Sequence, residues 1–363
     1  MSAIVYAFKC HHEKKQHEVL LPLLAFPRAD LILRRESLAL LEKINVDITS
    51  LLFQDDVNDW KEIPCTTKVI LTDHNVLSKA NTSLSSFVTE IIDHHMDAGL
   101  YSHSVLKRNI AFDTHSTPGG KALVGSCCSL VAESMYDFPT VVIPEIATML
   151  LAAMCLDTLN FKPEATKVTE RDIQAMLFLK PYCLMSVNDL FDWLQEEKCN
   201  RVHWQTVSLR DLLRCDFKRF TIATFTYGIS SVLLPLSDVL VKEDSGMERE
   251  RVLTTYCENE MLDFLFLLTN FRNENEEKDT VSLIPQRQIL LFAPAQEVLD
   301  RVHSILQSMS DDLVLGEACK ESPLLVWYTQ KNASISRKNF VPLFHKAVMD
   351  DNSSSNGKEL NAL

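Results

Sequence analysis

Two short apolar runs, each closing on a carboxylate, constrain this chain more than any other feature. One is Lys68-Val69-Ile70-Leu71-Thr72-Asp73 and the other is Val88-Thr89-Glu90-Ile91-Ile92-Asp93-His94-His95. Runs of this length and composition read as strands. They stand among segments that read as helices: residues 2–9 at the very start, 38–43, 124–135 and the apolar stretch 146–156. Residues 18–24 read as a further strand-like run, and 83–87 as a polar turn. Short strands alternating with helices indicate a parallel α/β sheet. In such sheets ligands collect at the carboxyl ends of the strands. Asp73 and Asp93-His94-His95 both fall at that edge.

Beyond about residue 180 the texture changes. Residues 188–200 are amphipathic and charged. Strand-like runs follow at 220–227, 230–234, 264–268, 288–292 and 324–328, with a helix starting near Glu248 and another over 295–307. This predicts a second, mixed α/β domain. The expected division is a first domain over 1–190, a linker over 191–209, a second domain over 210–348 and a tail over 349–363. The Asp, Asn and Ser of the tail predict no ordered structure. There is no internal repeat.

Composition narrows the function classes. With 46% hydrophobic and 23% charged residues in 363, two buried cores are readily filled. A net charge of −13 argues against a general nucleic-acid binder, which needs a basic footprint. The eight glycines form no Gly-x-Gly-x-x-Gly. The nearest approach to a P-loop, Gly120 to Gly125, is followed by Ser126-Cys127 where Lys-Ser/Thr is needed. Phosphate, if handled at all, is expected to meet side chains or metals instead of a glycine-rich loop. The ten cysteines contain no Cys-x-x-Cys and read as reduced thiols of a cytoplasmic protein. The apolar run 146–156 is too short to span a bilayer, so no membrane partner is expected.

Carboxylate beside imidazole suits Mn²⁺, Mg²⁺ or Zn²⁺, which makes Asp93-His94-His95 and Asp73 candidate ligands. Asp157 adds a third carboxylate directly after the apolar run 146–156, where a bare buried charge would be very costly. Any one of these aspartates serves equally well as a helix or loop cap; the three together read as a metal site. His11, His12 and His17 lie close together too, but a solvated helix end accounts for them better.

On these residues the chain resembles the DHH phosphoesterase superfamily, in the branch of family II inorganic pyrophosphatases and prune-type exopolyphosphatases. The resemblance runs through Thr72-Asp73-His74-Asn75, Asp93-His94-His95, Val124-Gly125-Ser126-Cys127, Leu156-Asp157-Thr158, Asp216-Phe217-Lys218-Arg219-Phe220 and Ser336-Arg337-Lys338-Asn339. Each motif alone is of modest specificity, and their order and spacing carry the identification. It implies a parallel-sheet DHH domain followed by a smaller mixed α/β DHHA2 domain. The implied activity is metal-dependent hydrolysis of phosphoanhydride bonds in short inorganic polyphosphate or pyrophosphate, with two Mn²⁺ or Mg²⁺ ions.

The resemblance also implies roles. Asp73 would bridge the two metals, His94 and Asp157 would hold the second, and His95 would face the substrate and protonate the leaving phosphate. Asp93 would orient a ligand from behind, and Lys218, Arg337 and Lys338 would clamp phosphate oxygens across a cleft. Prune-type proteins are associated with partner binding as well, including nucleoside diphosphate kinases. One departure stands out. The family begins with a strand and an Asp-x-Asp loop, whereas no Asp-x-Asp occurs in these 363 residues. The chain therefore reads as lacking its first strand, through an alternative start, a splice form or an incomplete gene model. It is expected to bind metal poorly and turn over slowly. The alternative reading is a catalytically impaired protein that acts by partner binding.

Overall fold

The computed structural model describes residues 1–363 apart from 14–18, 58–63, 117–118, 164–167, 244, 272–285 and 361–363; the side chains at 80 and 354–360 are also left aside. His17 therefore lies outside the described residues. The chain divides into two compact units, Met1–Lys198 and Cys199–Leu363.

The first unit opens on α1 (Ser2–Glu13), which buries Val5, Tyr6 and Cys10. Two-residue strands β1 (Leu23–Leu24) and β2 (Leu52–Phe53) pair in parallel on either side of α2 (Arg35–Lys43) in the sequence. Among the described residues of the strand-like run 18–24, only Leu23 and Leu24 form a strand. β3 (Val69–Thr72), β4 (Val88–Asp93) and β5 (Lys107–Ile110) then form a parallel sheet in that order. Residues expected to make a polar turn before β4 fold as a 3-10 helix over Lys79–Phe87. β5 is an edge strand with Lys107, Arg108 and Asn109 exposed, and charge on an edge discourages pairing with another chain.

A short antiparallel pair, β6 (Phe112–Asp113) and β7 (Lys121–Ala122), leads into a helical layer. It comprises α3 (Cys127–Glu133), α4 (Pro144–Asp157), α5 (Glu170–Leu179) and α6 (Val187–Lys198). The apolar run 146–156 becomes α4, and a helix apolar on every face must be buried on every face. Ile146, Met149, Leu150, Leu151 and Met154 are indeed buried, with α3, α5 and α6 packed around them. At its end three successive residues, Leu159, Asn160 and Phe161, take left-handed φ of 50°, 60° and 56°. Such backbone is uncommon for residues with a Cβ, and it turns the chain sharply just past Asp157.

The second unit begins with α7 (Arg201–Thr206) and α8 (Leu209–Leu212), so residues 191–209, expected as a linker, are largely helical. Trp204, Leu209 and Leu212 are buried, and this burial is what orders the stretch. β8 (Lys218–Ile222) and β9 (Phe225–Val232) form a hairpin where one strand was expected over 220–227. The turn residues Ala223-Thr224 lack the Asn-Gly signal of a tight hairpin, which is why the sequence hid it. The next elements are α9 (Leu236–Leu240), α10 (Gly246–Asn259), β10 (Phe264–Thr269) and β11 (Arg287–Phe292). α11 (Gln296–Ser308), α12 (Ser310–Leu313), β12 (Cys319–Ser322) and β13 (Leu325–Gln330) follow. The six strands pair in the order β12-β13-β11-β10-β9-β8, antiparallel except for β9 with β10. All six residues of β10 are buried, as a central strand covered on both faces requires.

The last helix, α13 (Arg337–Leu360), continues through the stretch expected to be an unstructured tail. Phe340, Phe344 and Val348 dock its first half into the core with Tyr227, Phe264 and Phe266. Once a helix is nucleated this way, propagation is cheap. Arg301 reaches across to Asp351 and Asn352 and holds the continuation. No helix among the described residues is long and apolar enough to cross a membrane.

Candidate metal centre

Parallel pairing brings the ends of β3 and β4 side by side, with Leu71 opposite Ile91 and Thr72 opposite Ile92. Asp73 is one residue past β3, and its N–H donates to the Ile92 carbonyl at 2.9 Å. It sits at a left-handed φ of 68°, a conformation that Asp tolerates better than most residues. The carboxylate is left half exposed at the sheet edge.

Asp93, the last residue of β4, is fully buried and acts as the fixed point below the two histidines. Its Oδ1 accepts the His94 N–H at 2.7 Å, the His95 N–H at 3.2 Å and His95 Nδ1–H at 2.8 Å. Its Oδ2 accepts the Asn75 amide at 2.6 Å. Burial pushes this carboxyl up, but the bonds from His95, Asn75 and the two backbone amides outweigh it and hold Asp93 below the usual range. Asn75 also donates to the Met96 carbonyl and accepts the Ala98 N–H, which closes the loop after β4.

The imidazoles are therefore set in advance. His94 Nδ1 lies 3.0 Å from the Val124 carbonyl, which can only accept, so Nδ1 carries the proton and Nε2 is the ligating nitrogen. That Nε2 is 3.3 Å from Asp73 Oδ1. Burial pulls the His94 pKa down, but the Asp73 carboxylate and the Val124 carbonyl win and raise it. The same logic on His95, whose Nδ1–H is spent on Asp93, leaves its Nε2 open. The two rings meet edge to face at 4.5 Å.

Asp73, His94 and His95 each offer a ligand atom, and these atoms lie within 4.8 Å of one another. This is the one group of three or more metal-capable side chains among the described residues. The donor set fits a divalent cation: a half-exposed carboxylate, and imidazoles whose other nitrogens are tied to a carbonyl and a buried carboxylate. His11 and His12, on the exposed end of α1, are not part of it.

Asp157 ends α4 and falls outside the three-donor group. Its Oδ2 accepts from Ser126 Oγ at 2.7 Å. Ser126 also caps α3, accepting the Cys128 N–H at 3.2 Å. The Cys128 thiol is pushed up to about 12, chiefly by burial and further by Asp157 and Asp73.

In the second unit, Arg337 opens α13 and bonds Asp216, with Nη1 2.9 Å from Oδ2 and a further contact to the Asp216 carbonyl. The Asp216-Phe217-Lys218 and Ser336-Arg337-Lys338 motifs, 121 residues apart at that contact, are thus joined. Lys218 and Lys338 are exposed.

Three polar positions that hold this arrangement have no role in the sequence reading. Asn75 and Ser126 lie inside quoted motifs, so a signal existed. Asp172 lies outside all of them. It is the third residue of α5 and closes a Thr169-x-x-Asp172 capping box, a pattern that announces only a helix start.

Comparison with known proteins points the same way. Residues 201–347 match the DHHA2 domain family. The chain is 28% identical over 356 residues to the exopolyphosphatase PRUNE1 of Homo sapiens, covering 96% of this chain and 72% of that one. It is 30% identical over 189 residues to the "probable manganese-dependent inorganic pyrophosphatase" of Thermotoga maritima, covering 52% and 31%. Among solved structures, a "putative family II inorganic pyrophosphatase" of Methanococcus jannaschii shares the fold, with a TM-score of 0.50, 19% identity and coverage of 95% and 94%. The mixed α/β architecture and the relatives found over almost the whole chain agree: residues 201–347 match the DHHA2 family, the chain as a whole is similar to prune-type exopolyphosphatases, and the named relatives support a phosphohydrolase by family.

Proposed function

We propose that the chain hydrolyses phosphoanhydride bonds of short inorganic polyphosphate or pyrophosphate, in the reducing cytoplasm, the compartment that suits its ten cysteines. The observation that carries this reading is the convergence of Asp73, His94 and His95 with the His94 tautomer already set for ligation. Asp73, His94 and Asp157 are the residues that would hold Mn²⁺ or Mg²⁺. Bound there, the ions would activate water and neutralise phosphoryl charge.

The remaining work falls to the chain. Asp93 anchors His95 through Nδ1–H, so that the ring, when Nε2 also carries a proton, can hand that second proton to the departing phosphate oxygen and return to the neutral form. Arg337 and Lys338 stand in the first turn of α13, where free N–H groups and the helix dipole already favour an anion. With Lys218 they are proposed as ligands of the phosphate oxygens, Arg337 by its planar fork and the lysines as point charges.

A second reading is favoured by the donor count. The sequence holds no Asp-x-Asp, and one three-donor group is present among the described residues. On that reading the chain keeps the fold and acts through a partner of the nucleoside diphosphate kinase type. The test is phosphate release from tripolyphosphate by the full chain, with Mn²⁺ and with a chelator. Chelator-sensitive release that disappears in His94→Ala supports the hydrolase. Absence of release from the folded chain supports the partner-binding reading.

A further inference from the structure

The three-residue segment Val124-Gly125-Ser126 serves two sides of the metal centre at once. Its first carbonyl fixes His94 through Nδ1, and its last hydroxyl donates to Asp157. Something must hold the segment in place. The structure supplies it from α5: Asp172, fully buried, accepts the Gly125 N–H on both carboxylate oxygens, at 3.0 and 2.8 Å.

The rest of the Asp172 carboxylate is equally occupied. Oδ1 accepts Ser129 Oγ at 2.6 Å, and Oδ2 accepts the Thr169 N–H and Oγ1, each at 2.8 Å. Every partner donates. That demands a group that accepts only, and among side chains an ionised carboxylate is that group. Two of the donors are backbone amides, which cannot turn round to accept from an asparagine. α5 is also fixed to α3 by the paired Arg171–Glu133 contact, at 2.8 and 2.6 Å, so the carboxylate is presented from a braced element.

We propose that Asp172 is a positioning residue of the metal centre. Through the Gly125 amide it sets the Val124 carbonyl and the Ser126 hydroxyl, and thereby the His94 tautomer and the Asp157 carboxylate. It touches neither substrate nor metal. The proposal rests on the metal-centre reading above and extends it to a residue of a helix that supplies no ligand.

The test uses Asp172→Asn in the full chain, with thermal unfolding as a control for folding. Two readouts are taken: Mn²⁺ affinity by electron paramagnetic resonance, and the His94 tautomer by ¹⁵N imidazole shifts without metal. In the native chain His94 should be protonated at Nδ1. In Asp172→Asn the tautomers should mix and Mn²⁺ affinity should fall by about 10–100-fold, the usual effect of disturbing an outer-shell partner. Asp172→Glu, which keeps an acceptor-only group, should recover part of both. A folded Asp172→Asn with native tautomer and native affinity overturns the proposal.

If Asp172→Asn does not fold, Ser129→Ala decides instead. It removes one donor that fixes the rotation of the carboxylate, and a loss near the lower end of that range, about 10-fold, is expected. Unchanged tautomer and affinity in a folded Ser129→Ala then count against the proposal. Failure of the metal-centre reading looks different: the native chain itself shows no specific Mn²⁺ binding, or His94→Ala binds Mn²⁺ as tightly as the native chain does.

Discussion

The two units treat their candidate site side chains in opposite ways. In the first, the Asp93-His94-His95 segment is held from below: Asp93 is fully buried with four donors, and each imidazole has its Nδ1 tied. In the second, Lys218 and Lys338 are exposed, and Arg337 leans on Asp216, its one partner among the described residues. The contrast follows from what each group is proposed to grip. A metal ion needs ligand atoms placed to within a few tenths of an ångström, so its ligands are preorganised by buried acceptors. A flexible polyanion needs charge within reach, and long cationic side chains in solvent provide it at little cost in desolvation. Substitutions in the first unit should therefore move metal affinity, and those in the second should move turnover with metal affinity intact.

The largest effect is expected at Arg337. If Arg337 is one of the proposed phosphate ligands, Arg337→Ala would remove one charge donor, a loss worth roughly 2.7–4 kcal/mol in comparable sites, or about two to three orders of magnitude in rate. Phosphate release from tripolyphosphate should fall accordingly while the Mn²⁺ dissociation constant stays native. A variant with native turnover removes Arg337 from the site, and one with weakened Mn²⁺ binding erases the contrast between the units.

The next effect belongs to Asp93. Asp93→Asn turns one of the two acceptor oxygens into a donor, so that either the three bonds from His94 and His95 or the bond from Asn75 lose their acceptor, and it should weaken Mn²⁺ binding by about 10–100-fold. Calorimetric titration of Mn²⁺ into the folded variant measures it. Native affinity would mean that the buried carboxylate serves folding alone.

The smallest effect is a control outside both proposed sites. Asp238 takes a paired contact from Arg201, at 2.7 and 2.8 Å, and a further bond from Gln205. These hold its carboxyl below the usual range. A depressed folded pKa contributes stability above the unfolded value, about 3.9, and loses it as pH falls through the folded one. Arg201 is partly exposed, so the contribution at pH 7 should be below about 1 kcal/mol. Urea midpoints of the native chain and Asp238→Asn should differ slightly at pH 7 and converge as pH falls below 3. A difference that grows on acidification would contradict this, and turnover should be unaffected throughout.

Much of this was legible in the sequence, for identifiable reasons. Asp73 and Asp93 stood at the ends of short apolar runs, and parallel pairing makes neighbouring strand ends converge. The run 146–156 could only be a buried helix. The hairpin at Ala223-Thr224 was hidden because its turn carries no glycine or asparagine, and the order of residues 349–360 because docking at Phe340 and Phe344 nucleates a helix that composition disfavours. Asp172 was illegible for a different reason. Its local pattern is a complete explanation in itself, a helix cap, and its second set of partners comes from Gly125 and Ser129, more than forty residues away. A buried carboxylate with two jobs shows only the nearer one in sequence.

The most direct measurement of the central claim is Mn²⁺ titration of the full chain, native and Asp73→Ala, followed by electron paramagnetic resonance, with phosphate release from tripolyphosphate assayed on the same samples. The account predicts saturable Mn²⁺ binding and metal-dependent release in the native chain. Both should be lost together in a folded Asp73→Ala. Native binding and release in that variant, or a folded native chain that binds no Mn²⁺, would contradict it.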